Sequence, residues 1–120
     1  MDNQKIFDMK FSKVYPLLIA KVERKGGKAE DLHKITSWLT GYSTDEIQNM
    51  LLSDISYGDF FENAPSFTPY SEHIKGSICG VKIRVISDPL MKKIRMLDKL
   101  ADELSKGKTP EKITDKYTKD

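Results

Sequence analysis

The stretch DPLMKKIRMLDKLADELSKGK, residues 88–108, carries the clearest helical pattern of the chain. Asp88 followed by Pro89 is typical of a helix N-cap and first helical position, and Gly107 is typical of a residue just past a helix end. The pattern therefore predicts a helix that ends at about Lys106. Its apolar positions are spaced by four and three residues: Leu90, Ile94, Leu97, Ala101 and Leu104. Because the stripe spans only about two heptads, it favours a core-facing helix over a coiled coil.

The same periodicity predicts helices upstream of this stretch. They fall at about residues 12–25, 29–40, 44–52 and 57–63. Gly41 is expected to cap the second of these in a left-handed conformation, and Ser43 and Glu46 have capping-box spacing at the start of the third. The segments before residue 64 are therefore helical.

The segment before the terminal helix is ambiguous. β-branched residues are dense at 78–86 and favour a strand, but no second segment offers a partner strand. We therefore expect a short helix that ends at about Cys79, followed by an extended connector. Gly76 and Gly80 have small-xxx-small spacing, and Gly80 is expected to provide a cap or a close backbone contact.

These segments predict one mainly α domain of five or six helices with one extended segment near 81–86. The globular part is expected at residues 1–108, with a weakly structured C-terminal tail at 109–120. A chain of 120 residues can bury a core without disulfides or a structural metal.

The composition indicates a reducing, cytoplasmic setting. The single cysteine excludes an intrachain disulfide and is too few for a structural zinc site. No apolar run approaches the roughly 20 residues that span a bilayer, and residues 1–10 lack the apolar region of a signal peptide. We therefore expect a cytoplasmic protein without a membrane partner.

Charge is distributed unevenly along the chain. The net charge is only +2, yet no Lys or Arg occurs between Lys34 and Lys75. Six acidic residues lie in that stretch: Asp45, Glu46, Asp54, Asp59, Glu62 and Glu72. The acidic middle predicts either a polarised molecule or pairing with the basic flanks.

Candidate ligand-binding residues come from the acidic and aromatic stretch and its surroundings. They are Trp38, Tyr42, Asp54, Tyr57, Asp59, Glu62, His73 and Cys79. Asp59 and Glu62 fall on one helical face, where two carboxylates can hold a cation or a basic ligand. Cys79 has no base at a recognised catalytic spacing, so packing beside the glycines is favoured over nucleophilic chemistry. No catalytic set is assigned.

Several chemistries are disfavoured by the sequence. The second and third helices have roughly helix-turn-helix proportions, but the would-be recognition helix carries Asp45 and Glu46 and no base. Because phosphate contacts supply much of the affinity of such modules, nucleic acid is an unlikely partner. No phosphate loop, nucleophile elbow or zinc motif is present, so no cofactor and no metal are predicted.

Five blocks in order resemble a known bacterial family. They are FDMKFSKVYPLL at 7–18, WLTGYSTDEI at 38–47, DISYGDFFENAP at 54–65, GSICGVKI at 76–83 and the opening stretch at 88–108. Together they are similar to domain of unknown function 2200 from about residue 6 to residue 113. The resemblance implies a stand-alone cytosolic bacterial domain and supplies no activity or site residues.

The sequence thus favours a non-enzymatic binding or interaction module. Its candidate partners are a second copy of the chain or a protein with a basic surface. The alternative is a small-molecule-binding protein or a small enzyme, with a pocket between residues 54–62 and Cys79. An enzyme would require those side chains to converge.

Overall fold

The terminal helix is the central element of the fold. A computed structural model describes residues 3–78 and 80–118. The helix forms at Pro89–Ser105, and the Asp88 carboxylate accepts the backbone N–H groups of Leu90 at 2.9 Å and Met91 at 3.1 Å. These bonds satisfy donors that a helix N-terminus leaves unpaired, which confirms the predicted N-cap.

The described part of the chain contains seven α-helices, which confirms the mainly α class with more helices than the five or six expected. They are α1 (Gln4–Asp8), α2 (Phe11–Arg24), α3 (Ala29–Thr40), α4 (Thr44–Met50), α5 (Tyr57–Glu62), α6 (Pro89–Ser105) and α7 (Pro110–Thr118). The one-turn helix α1 was not predicted, because five residues are too short for a periodic pattern.

The predicted stripe of α6 lies in the core. Ile94, Leu97 and Ala101 are fully buried, Leu104 is nearly so, and Leu90 packs at the edge. The helix contacts α2, α3, α5 and α7, so it joins the early helices to the C-terminal one. Burial on this scale supplies the main driving force for folding.

Aromatic rings from α2 and α5 fill the centre of the core. Phe11 stacks on Phe60 with ring centroids 4.2 Å apart and on Tyr15 at 4.7 Å. Phe61 meets Phe60 and Tyr57 edge-on, each at 5.1 Å. The aromatic residues of α5 therefore pack onto the body of the protein.

The segment at 69–86 differs from the expected helix and connector. It forms a 3-10 turn at Pro69–His73, then two short strands, β1 (Ser77–Ile78) and β2 (Val81–Lys82), and a second 3-10 turn at Ile83–Val85. The strands pair antiparallel with each other, so the partner strand that the sequence did not reveal is Val81–Lys82, which begins three positions after Ile78. The predicted helix ending near Cys79 is therefore wrong.

Glycine is required at position 80 for a reason that differs from the expected cap or close contact. It lies in the hairpin turn with φ of +79°, and a Cβ added there would meet no atom within 4 Å. The residue is needed for its left-handed backbone and makes no close contact.

The expected weakly structured tail contains a packed helix, α7. Ile113 and Tyr117 of this helix are buried, and the Thr109 hydroxyl accepts the Lys112 backbone N–H at 3.2 Å at its start. The Glu103 carboxylate of α6 is 3% exposed and accepts hydrogen bonds from Lys108, Lys116 and Tyr117. Contacts with α3, with the 3-10 turn at Pro69–His73 and with α6 therefore order a segment whose own pattern is too short to predict a stable helix.

The end of α3 lies close to the backbone of a later loop. Gly41 has φ of +86°, which confirms the predicted left-handed cap. Beyond it the chain returns, and the backbone N–H groups of Ser66 and Thr68 donate to the carbonyls of Thr40 and Leu39. A Cβ at position 41 would lie 2.7 Å from the Ser66 nitrogen. Only glycine fits this position without displacing the returning loop.

Candidate functional site

The predicted ligand-binding residues lie in separate places. The Asp54 carboxylate is largely exposed and accepts a hydrogen bond from Lys10 at 3.2 Å. His73 donates from Nδ1 to the Tyr117 carbonyl at 2.7 Å, beside α7. Trp38 is half-buried against the core, and Cys79 lies outside the described residues. Asp54 and His73 therefore do not converge with the other described residues that were predicted to bind a ligand.

Tyr42 and Tyr57 are core residues. The Tyr42 hydroxyl donates to the Phe60 carbonyl at 2.8 Å. Tyr57 is fully buried, and its hydroxyl has no hydrogen-bond partner in the described part of the chain. Burial, with the nearby Asp98 carboxylate, raises the pKa of the Tyr57 hydroxyl well above its usual value. Neither ring presents its hydroxyl as an open ligand group.

Replacing these two tyrosines by phenylalanine should have effects of opposite sign. Tyr57→Phe removes a buried unsatisfied hydroxyl and should raise the free energy of unfolding by about 1 kcal/mol. Tyr42→Phe leaves the Phe60 carbonyl without its donor and should lower it by about 1 kcal/mol. Urea unfolding followed by circular dichroism measures both. Destabilisation by Tyr57→Phe would mean that its hydroxyl has a partner.

Asp59 and Glu62 do come together with other acids. They line a cleft of about 460 Å³ between α1, α5 and the start of α6, together with Asp8 and Asp88. We call this the acidic cleft. Asp8 accepts a hydrogen bond from Gln4 at 2.9 Å, and Asp88 caps α6. Within residues 3–78 and 80–118, none of the four carboxylates forms an ion pair with Lys or Arg.

Two of these acids could not be found from the sequence. Asp8 and Asp88 are about 50 and 30 positions away from Asp59 and Glu62, and neither carries a local pattern that points to a shared site. Their meeting depends on the packing of α1 against α5 and of α5 against α6. Only the capping role of Asp88 could be predicted, from the Pro89 that follows it.

A second charged cleft, of about 590 Å³, lies between the C-terminal ends of α2 and α6. We call it the basic cleft. Its charged residues are Lys21, Arg24, Lys25, Lys106 and one acid, Asp102. Because Asp88 and Lys106 flank the 17 residues of α6, the two clefts are about 25 Å apart at the rise of an α-helix. The uneven charge of the sequence is therefore also uneven in space.

A buried polar chain links α2 to α3. The Tyr15 hydroxyl lies 3.0 Å from His33 Nδ1 and 3.1 Å from the Thr36 hydroxyl, which donates to the Leu32 carbonyl at 2.8 Å. The only Thr36 proton is thus used, so Tyr15 donates to Thr36 and accepts from His33 Nδ1. Burial outweighs the nearby Glu30 and lowers the pKa of His33, which favours the neutral ring. These polar groups hold the helices together.

The described residues contain neither a metal-ligand cluster nor a membrane-spanning helix. No group of three or more His, Cys, Asp or Glu side chains in the described ranges could hold a metal ion. None of the described helices combines the length and apolarity required to cross a bilayer.

Comparison with known proteins identifies the family. A family model described as an uncharacterized protein conserved in bacteria, DUF2200, matches residues 5–115. The crystal structure of an uncharacterized protein, SP1917, is similar with a TM-score of 0.96 at 55% identity, over 99% of this chain and 98% of that chain. No curated protein matches the chain. The resemblance seen in the five sequence blocks is confirmed, and the chain belongs to the bacterial DUF2200 family.

Proposed function

We propose that this chain is a non-enzymatic binding module of the bacterial cytoplasm, whose acidic cleft takes up Lys or Arg side chains of a partner protein. One observation carries the proposal: Asp8, Asp59, Glu62 and Asp88 line one concave surface that no described Lys or Arg shares. The partner is a flexible basic segment, since an open cleft of about 460 Å³ has room for a few side chains.

Electrostatics favours a cationic occupant. Carboxylates carry negative charge at neutral pH, and like charges in a concave surface reinforce one another's field. A bound ammonium or guanidinium group relieves that repulsion and forms charge-assisted hydrogen bonds. Such contacts mainly raise the association rate and make binding sensitive to salt.

Another protein fits the cleft better than a second copy of this chain. The cations of this chain that gather together line clefts of their own, with Arg24 and Lys106 in one and Lys82 and Arg84 in another. Two concave surfaces do not fill one another, whereas an extended basic segment can enter the acidic cleft. The alternative of a small enzyme finds less support, because Asp54 and His73 lie outside the acidic cleft.

A short oligolysine peptide should bind the native protein at low ionic strength. Replacing Asp59 by Asn and Glu62 by Gln removes two of the four charges and should weaken binding about tenfold, as the loss of about 1.4 kcal/mol implies. Isothermal titration calorimetry measures the affinity. Both residues are exposed, so the double variant should keep its fold.

The matched control replaces Glu111 by Gln and Asp115 by Asn on α7. These two substitutions remove the same formal charge. Both residues are exposed and lie outside the acidic cleft. The control should bind the peptide as the native protein does. Equal weakening by both double variants, or no binding at all, would contradict the proposed site.

A further inference from the structure

The basic cleft is a second site, independent of the acidic one. Its walls come from two helices that are far apart in sequence: Lys21, Arg24 and Lys25 from the end of α2, and Asp102 and Lys106 from the end of α6. A cation near a helix C-terminus is favoured by the dipole of its own helix. The dipole of each helix does not explain why two helices place their cations around one concave surface.

Part of this surface is fixed in place by Asp102. Its carboxylate lies 3.2 Å from the Lys21 ammonium and 3.0 Å from the Lys106 ammonium. Burial opposes ionisation of Asp102, but the hydrogen bonds from Lys106 and Lys21 outweigh it and lower the pKa of the carboxyl. Each ammonium has three donors, so both lysines keep N–H groups for a ligand after binding Asp102.

The other two cations have no partner among residues 3–78 and 80–118. Arg24 and Lys25 are exposed, and neither forms an ion pair or a side-chain hydrogen bond with the part of the chain that the structure describes. Four cations thus share one carboxylate. An arginine guanidinium can bind two phosphate oxygens at once, and lysine adds point charges around it.

We infer that the basic cleft binds the phosphate groups of a small phosphorylated molecule, held by Arg24 and Lys25 together with the ammonium groups of Lys21 and Lys106. Its described lining contains no aromatic side chain that could stack on a nucleobase. The ligand class is therefore an oligophosphate or a sugar phosphate, and the contacts recognise phosphate in either. The inference does not depend on the function proposed for the acidic cleft.

Calorimetric titration of the full chain tests this inference. The probes are sodium tripolyphosphate and fructose 1,6-bisphosphate, which separate the two sources of phosphate, with sodium chloride of equal ionic strength as the reference. Both probes, or one of them, should bind. Arg24→Gln combined with Lys25→Gln should weaken that binding about tenfold or more, since each lost charge-assisted bond is worth more than 1 kcal/mol.

The matched control replaces Lys13 and Lys112 by Gln. These exposed lysines lie outside the basic cleft, and the control carries the same charge change. Unchanged affinity in the control and retained affinity in the acidic-cleft variant Asp59→Asn with Glu62→Gln are both expected. Absence of binding by the native protein, or equal weakening by the control, overturns the inference. Neither result bears on oligolysine binding, so the two proposals fail separately.

Discussion

Gly41→Ala is expected to lower the free energy of unfolding by about 3–5 kcal/mol, a large effect for one methyl group. Two costs add. A left-handed conformation costs an L-residue roughly 1–2 kcal/mol. The new Cβ would also lie within 3 Å of the Ser66 nitrogen, Cβ and carbonyl oxygen, so the returning loop has to move away from α3. Urea unfolding monitored by circular dichroism measures the loss.

Gly107→Ala is the matched control for this substitution. Gly107 also follows a helix end, with φ of +96°, but a Cβ added there meets nothing within 4 Å. It should therefore cost only the backbone term, about 1–2 kcal/mol. The difference between the two variants measures the contact between α3 and the loop. Equal losses would show that this close approach has no energetic weight.

Glu103→Ala should lower the free energy of unfolding by about 2–4 kcal/mol, since a buried, hydrogen-bonded carboxylate is removed. The Tyr117 hydroxyl would lose its acceptor within the α6–α7 contact. Lys108 and Lys116 are half-exposed and can turn to water, which limits the loss. Hydrogen exchange should show α7 opening more often in the variant while α2 keeps its protection.

The Glu103 contact also predicts how stability depends on pH. Burial opposes ionisation of Glu103, but the hydrogen bonds from Lys116, Tyr117 and Lys108 outweigh it and lower the pKa in the folded protein. The contribution is therefore complete above the unfolded-state pKa of about 4.3 and is lost as pH falls through the lower folded-state value.

Glu103→Gln isolates this charge effect. The amide keeps an oxygen for Tyr117 but cannot ionise, so the variant should be less stable than the native protein at neutral pH. The two should converge in acid. A constant difference between their unfolding free energies from neutral to acid pH would mean that ionisation of Glu103 is not what holds α7.

Local signals were sufficient to predict most of the helices. The capping box is present as expected, with Ser43 accepting from the Glu46 N–H at 3.0 Å and Glu46 accepting from the Ser43 N–H at 2.8 Å. The segments that were mispredicted depend on partners. The strand Ser77–Ile78 depends on its pairing with Val81–Lys82, and α7 depends on its contacts with α3, α6 and the turn at Pro69–His73. Propensity is a weak guide where tertiary contacts decide.

The candidate sites were also predictable only where the residues are close together in the sequence. Asp59 and Glu62 share a helical face, so their proximity could be predicted from spacing alone. Asp8 and Asp88 join them through helix packing, and the basic cleft combines residues about 80 positions apart, such as Lys21 and Asp102. Neither of these long-range arrangements can be predicted from the local sequence pattern. The sequence showed that charge is segregated, and only the fold shows where it gathers.

The position of α6 also bears on how the protein is made. Ribosomes deliver the chain from its N-terminus, yet the helix that contacts α2, α3, α5 and α7 is the sixth of the seven described. The apolar surfaces of α2, α3 and α5 that pack on α6 therefore stay uncovered until residue 105 has emerged. A nascent chain stalled before Pro89 would leave these surfaces open to chaperones and to aggregation.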